Sequence, residues 1–326
     1  MSNNINETNV VLIGAGYMAS EYTKVLKSLP CKFTVIGNHL KSAKKFESQT
    51  GVKVKAGGIH KITDFSEFTH CINTVRSDFL HPVNLHLLNH GAKNILCEKP
   101  GALYLKDLRE SANLAAQLNT SILIAYNRRF YASVDKLVEL ASDDGGVESF
   151  YFDFTEWEEQ WKNHTTSEQI LLNLFIMNSL HVVDLAFYIG GIPKKLKSFV
   201  SGYSDWHQKA MIFSGAGITT KKAIFSYNAN WGSAGRWGIE VNSKNFKYIL
   251  RPLEELRIMK KTTASTIHIS VEKLNIDDNL DIRFKPGIYN QTLYFLKNIK
   301  SKKFIDIHEH SNNIANFYMN ILKGSL

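Results

Sequence analysis

The chain has 326 residues, 44% hydrophobic and 21% charged, a balance that excludes wholesale disorder and leaves room for about two domains with separate cores. Its formal net charge of +9 is scattered, with short pairs such as Lys44-Lys45, Lys221-Lys222 and Lys260-Lys261 but no basic stripe, so nucleic acid is not an expected partner. Cys31, Cys71 and Cys97 lie far apart without a CxxC pair, which argues against a disulfide framework or a zinc ribbon.

The opening Met1 to Thr8 is polar and lacks a basic n-region, and the apolar run 10–13 behind it is too short for a signal segment or a membrane span. A cytoplasmic protein with no membrane partner is therefore expected. Between residues 9 and 125, short apolar runs at 10–13, 33–36, 52–55, 71–74, 94–97 and 121–125 alternate with helical periodicity at 18–29, 40–49, 82–89 and 105–118. Such alternation predicts a doubly wound parallel sheet, an α/β dinucleotide-binding (Rossmann) domain over residues 1–125. After Asn127 the rhythm changes. A strand is predicted over 148–156, a long helix over 168–189, and then strands at 210–213, 222–230, 238–241, 247–250, 255–260 and 266–271. Residues 126–326 accordingly read as an α+β domain for substrate binding and oligomerisation, built on a large, open, mostly antiparallel sheet. Two closing helices, near 289–299 and 309–322, can pack back on the first domain.

The first apolar run leads into Gly14-Ala15-Gly16-Tyr17-Met18-Ala19, a G-x-G-x-x-A sequence between a predicted strand and a predicted helix. In that context Gly14 permits the tight turn, Gly16 lets a pyrophosphate approach the backbone, and Ala19 allows close helix–strand packing. The free amides at the helix start, with Tyr17 and Met18, complete a phosphate cradle. Dinucleotide folds usually place an acidic residue at the end of the second strand to hold the adenosine ribose. Here that strand ends in Gly37-Asn38-His39, with Lys41 and Lys44 beyond, so NADP is preferred over NAD as cofactor.

The fifth run ends in Cys97-Glu98-Lys99-Pro100. Carboxyl ends of strands face the ligand crevice in such sheets, and the proline restricts Lys99 to an extended backbone whose X-Pro bond can be cis. With the glycine turn, Asn73-Thr74 and the downstream His81, Glu98-Lys99-Pro100 and the segment Tyr126-Asn127-Arg128-Arg129-Phe130, the chain resembles the Gfo/Idh/MocA family, the glucose-fructose and inositol dehydrogenase group, over nearly its full length.

The resemblance implies an NAD(P)-dependent oxidoreductase acting on a sugar, sugar nucleotide or cyclitol, with a role in surface-glycan precursor synthesis by analogy with subfamily members. Thr74, His81, Glu98 and Lys99 join the cofactor residues. Lys99 and His181 are the catalytic pair, polarising the substrate oxygen during hydride transfer. Tyr126, Arg128 and Asn178 join them on the substrate. The family pattern around the histidine is D-x-G-x-H-x-x-D; this chain has Met177 at the first carboxylate and retains Asp184. That departure keeps two other readings open. One is a catalytically silent, cofactor-bound regulator, and the other a redox-neutral epimerase or transhydrogenase with tightly held cofactor.

Arg128 or Arg129 could clamp a diphosphate, or serve in an inter-domain ion pair, and Trp157 and Trp161 could stack on a sugar or simply pack. No HExxH or HxxxH set falls at a strand-framed position, so no metal is expected. The open sheet predicts a homodimer or homotetramer, the assembly the resemblance also implies.

Overall fold

The computed structural model describes residues 4–164, 167–203, 210–261 and 270–325, apart from the side chains of 162 and 164. The chain forms two compact units. One comprises Met1–Asn127 with Leu280–Asn312, the other Arg128–Asn279 with Asn313–Leu326.

The first unit begins with strand β1, Asn9–Ile13, whose Val10, Val11 and Leu12 are wholly buried because the strand lies mid-sheet with neighbours on both sides. Helix α1, Tyr17–Ser28, follows. Its Ala19, Tyr22, Val25 and Leu26 recur three and four apart and form the buried face. Then come β2 (Lys32–Gly37), α2 (Leu40–Thr50), β3 (Val54–Ala56), β4 (His70–Asn73), α3 (Leu80–Asn89), β5 (Asn94–Glu98), α4 (Leu105–Gln117) and β6 (Ser121–Ala125). These strands run parallel in the order 6-5-4-1-2-3, so the direction of winding reverses between β1 and β4. This is the doubly wound sheet expected from the sequence, and the reversal opens a crevice at the carboxyl ends of its central strands.

The second unit opens with helix α5, Ala132–Asp143, where no element is anticipated from the sequence, and strand β7, Ser149–Asp153. Short helices α6 (Glu158–His164) and α7 (Glu168–Leu172) precede a wide π turn, Phe175–Ser179, that leads into α8, Leu180–Gly190. The single helix expected over 168–189 is thus broken. The Leu180 amide reaches back five residues to the Phe175 carbonyl, a local widening of the kind often found at functional positions.

Strands β8 (Pro193–Ser201), β9 (Ile212–Thr219), β10 (Ile224–Asn230), β11 (Gly238–Asn242), β12 (Phe246–Leu250), β13 (Arg257–Lys260) and β14 (Glu272–Lys273) complete an eight-stranded sheet ordered 14-13-12-11-7-10-9-8. All pairs are antiparallel except β7 with β10. The strand expected over 266–271 falls largely outside the described residues.

Alternation along β10 buries Phe225, Tyr227 and Ala229 while exposing Ile224, Ser226 and Asn228. On the buried face, Phe225 meets Phe187 of α8 edge-on at 5.0 Å, inside an aromatic cluster that includes Phe150, Phe152 and Phe154.

The chain then returns to the first unit. Helix α9 (Asn279–Arg283) is followed by Phe284 and by helix α10 (Ile288–Leu296), and Phe284, Ile288, Phe295 and Leu296 join the core that holds Tyr22, Val25 and Leu26 of α1. Strand β15, Ile305–Asp306, pairs antiparallel with β6, and α11 (Ile307–Asn313) follows. The final helix α12, Met319–Lys323, packs on β8 in the second unit. Among the described residues no helix is long and apolar enough to cross a membrane.

Candidate functional site

In the first unit the turn after β1 sits at the reversal of the sheet. Gly14 adopts φ +117°, and a Cβ there would lie 2.7 Å from Thr74 Oγ1, so only glycine lets the turn lie against the residue that follows β4. The Gly14 amide donates to the Ile36 carbonyl at 2.8 Å, and the Thr74 hydroxyl donates to the Ile13 carbonyl at 2.8 Å, tying β1, β2 and β4 together at this point. Gly16 is different. Its backbone is ordinary extended chain, and a Cβ would find no atom within 4 Å. Space therefore stands open at the start of α1, whose first amides receive no side-chain cap. Open space, free donors and the positive helix end fit a dinucleotide pyrophosphate.

Tyr17, the first residue of α1, is 67% exposed, and Lys285 from the returning chain places its ammonium 5.4 Å from the Tyr17 ring centre. Lys285 is a cation at the phosphate turn that sequence order, 271 positions after Gly14, could not associate with it. At the end of β2, Asn38 and His39 are exposed and in contact at 3.3 Å, and His39 immediately precedes α2. Gly57 and Gly58 donate to the Gly37 carbonyl, bringing a second glycine corner against Asn38. Among the described residues no carboxylate hydrogen bonds to Asn38 or His39.

Glu98 ends β5. The Tyr22 hydroxyl lies 3.2 Å from Glu98 Oε1 and 3.1 Å from the Gln291 side-chain amide. One hydroxyl has one proton, and in this orientation of the amide the Gln291 nitrogen is buried without a partner among the described residues. Turning the Gln291 amide over lets its N–H donate to the tyrosine oxygen and the hydroxyl donate to Glu98, which satisfies all three groups. Burial pushes the Glu98 carboxyl up, and Lys99, the Tyr22 hydrogen bond and Lys285 hold it back. Lys99 is half-buried, and its peptide bond to Pro100 is cis.

Two further expected residues are engaged within the first unit. Both ring nitrogens of His81 are engaged by α4, with Ser111 at 2.9 Å and Glu110 at 3.3 Å. The Tyr126 ring is buried edge-on against His310 at 5.4 Å.

In the second unit His181 sits on the first turn of α8, buried, with its ring centre 6.1 Å from that of Trp237. Asn178, in the π turn, donates to both carboxylate oxygens of Glu156, at 3.1 and 3.0 Å, and Ser179 donates at 2.7 Å. Trp161 adds its indole N–H at 3.2 Å. Burial pushes the Glu156 carboxyl up, and these hydrogen bonds and the Arg236 charge oppose it. Glu156 and Trp237 were not singled out in sequence because neither lies in a motif. Arg129 and Asp184 form a bidentate ion pair at 2.7 and 2.5 Å with both side chains buried, so the second arginine of the Arg-Arg pair has a structural role, within the second unit and not between domains. The guanidinium of Arg128 lies instead 4.7 Å from the Trp237 ring centre.

Doubly wound sheet, glycine turn and open helix start together define a dinucleotide-binding fold. Residues 8–126 match the model of the oxidoreductase family with an NAD-binding Rossmann fold, GFO_IDH_MocA. An uncharacterized oxidoreductase of Streptococcus pneumoniae serotype 4 is 26% identical over 245 residues, 70% of this chain and 63% of the relative. The chain spans less than two thirds of the length of the curated relatives it matches. Levoglucosan dehydrogenase, solved in complex with NADH and levoglucosan, shares the fold with a TM-score of 0.75 at 14% identity, covering 94% of each chain. UDP-N-acetylglucosamine 3-dehydrogenase from Acidithiobacillus ferrooxidans does so with a TM-score of 0.72 at 11% identity, covering 96% of each chain.

Proposed function

We propose that the chain is an NAD(P)-dependent oxidoreductase that transfers hydride between nicotinamide and a hydroxyl or keto carbon of a sugar or sugar nucleotide, in surface-glycan precursor synthesis. The observation that carries this reading is the uncapped start of α1 at the reversal of the sheet, with open space over Gly16 and Lys99 two strands away at the end of β5. The sugar class is supported by the dehydrogenases that share the fold.

Gly14, Gly16, Tyr17 and Met18 hold the pyrophosphate, Thr74 backs the turn, and Glu98 positions Lys99. Asn38 and His39 meet the adenosine ribose. A carboxylate there would repel a 2′-phosphate, and this site offers Asn38, His39 and the nearby Lys41 and Lys44 instead, which supports NADP over NAD. The cofactor supplies or accepts the hydride, and the side chains of this chain handle the proton. His181 is the acid–base group, an imidazole suited to exchange a proton near neutral pH, and Lys99 donates a hydrogen bond to the substrate oxygen. Asn178 and Arg128 contact the substrate.

In the second unit, Phe199, Ile212 and Ile224 are exposed along β8, β9 and β10, and Phe199 lines a shallow hollow of about 440 Å³. We assign this face to a homodimer or homotetramer contact of a cytoplasmic protein.

Fluorescence titration with NADPH and NADH tests the assignment. NADPH is expected to bind more tightly, and Gly16→Val to abolish binding of both. In a sugar and sugar-nucleotide screen, Lys99→Ala and His181→Ala should each lower kcat at least about 100-fold. Absence of binding by both cofactors overturns the oxidoreductase reading. Near-full turnover in both alanine variants overturns the residue roles, and turnover of sugar without net cofactor change would replace the dehydrogenase with an epimerase or transhydrogenase.

A further inference from the structure

Three buried donors in the second unit have no acceptor among the described residues: Trp237 Nε1, Arg128 Nε and Arg236 Nη1. They are neighbours. The guanidinium carbons of Arg128 and Arg236 lie 4.7 and 4.9 Å from the centre of the Trp237 ring, which is itself only 5% exposed. Arg236 also lies 4.6 Å from the ring of Trp157, which is 49% exposed and opens the cluster to solvent. Buried N–H groups are almost always paired in folded proteins, so three together mark a place that something else completes.

The available anion does not complete it. Glu156 approaches Arg236 Nη1 only to 4.0 Å, beyond hydrogen-bond reach, and its oxygens already accept from Asn178, Ser179 and Trp161. Two guanidiniums against one carboxylate leave a positive excess. Arg129 shows the contrast, since Asp184 takes it in a two-pronged grip.

We propose that Arg128, Arg236 and the Trp237 N–H form a subsite for an anionic group of the substrate, a carboxylate or phosphate. This deepens the oxidoreductase assignment and rests on it, because the His181 ring is 6.1 Å from Trp237 and a sugar bound here lies beside the acid–base group. Planar guanidiniums match the paired oxygens of such anions, whereas a neutral sugar hydroxyl offers one weak acceptor and no charge. Trp157 supplies an indole surface against which a sugar ring can lie. The substrate is therefore an acidic sugar or a sugar phosphate, including the diphosphate of a sugar nucleotide.

Calorimetric titration of the full chain, with NADPH present, tests this with paired probes: D-glucuronate and D-galacturonate, the corresponding hexose 6-phosphates, UDP-glucose, and the parent neutral hexoses. At least one acidic probe is expected to bind about tenfold or more tighter than its neutral parent. Trp237→Phe keeps the ring and removes only the N–H. That variant and Arg128→Gln should each weaken the acidic probe about tenfold, near 1.4 kcal/mol, and Trp237→Phe should leave the neutral hexose unchanged. Preference for uronates identifies the carboxylate as the bound group, and preference for phosphates the phosphate. Equal binding of acidic and neutral probes, no binding of any acidic probe, or unchanged affinity in a folded Trp237→Phe overturns the proposal. NADPH affinity measured in the same samples keeps the two readings apart. Intact NADPH binding without anion preference sinks only the subsite, and anion binding without NADPH binding sinks only the oxidoreductase assignment.

Discussion

Removing the Asp184 carboxylate should cost the second unit more than any loss of a surface charge. Asp184 is fully buried in α8, and Arg129 is only 8% exposed, with its guanidinium gripped through Nε and Nη2 and lying 5.0 Å from the Tyr188 ring centre. In Asp184→Ala the guanidinium stays buried and charged with its two strongest acceptors gone. Breaking such a pair from one side costs about 3–5 kcal/mol, whereas an exposed pair such as Lys136–Glu139 is worth under about 1 kcal/mol. For a unit of about 150–250 residues each kcal/mol moves the melting temperature by about 2–4 °C, so the second-unit transition should fall by about 6–20 °C. The double variant Arg129→Met with Asp184→Leu removes both charges and keeps apolar volume, and should recover most of the loss. Differential scanning calorimetry or near-UV circular dichroism reads both variants. If Asp184→Ala melts within 2 °C of the parent, or the double variant is worse than the single one by the full cost of a second lesion, the pair is not the buried structural element described here.

The two glycines of the phosphate turn should separate stability from binding. Gly14→Ala forces a Cβ to within 2.7 Å of Thr74 Oγ1 at a positive φ and should cost about 1–3 kcal/mol in urea unfolding. Gly16→Ala fills open space and should unfold like the parent within about 0.5 kcal/mol while binding NADPH at least about tenfold more weakly. Glu156 gives a pH signature. Its folded carboxyl is raised above the usual value of 4.5 by burial, so its ionisation costs stability progressively as pH climbs from about 4.5 through the folded value. Relative to Glu156→Gln, the parent should lose stability across that window in urea melts taken from pH 4.5 to 8, and a pH-independent difference refutes the direction. Tyr22→Phe removes the hydroxyl between Glu98 and Gln291 and should destabilise the first unit by about 1–3 kcal/mol, with thermal unfolding as the check.

The first unit was legible because its signals are local. Each strand is a short apolar run, each helix has its own buried stripe, and the glycine turn lies within six residues of the strand it follows. What escaped was carried by distant chain. Lys285 reaches the turn from 271 residues downstream of Gly14, Gln291 reaches the Tyr22 hydroxyl beside Glu98 from 193 residues downstream of Glu98, and no periodicity relates them. Likewise α5 went unanticipated because its buried Val134, Leu137 and Ala141 are interrupted by an exposed Val138, which blurs the stripe.

The histidine segment shows why spacing can mislead. Placing Met177 on the face of His181 assumes α-helical periodicity, in which residues four apart are stacked. The π turn over Phe175–Ser179 widens the backbone just before His181, and the Leu180 amide reaches back to Phe175 instead. A four-residue offset measured across that turn no longer identifies a shared face, so Met177 alone says little about whether a carboxylate serves this helix. One does. Glu156, from the chain beyond β7, holds Asn178 and Ser179 through three hydrogen bonds immediately before α8 begins. A carboxylate that sequence spacing places on the helix is thus supplied across the fold, to the turn that sets the helix start. Loss of the first Asp from the motif is therefore weak grounds for reading the chain as catalytically silent.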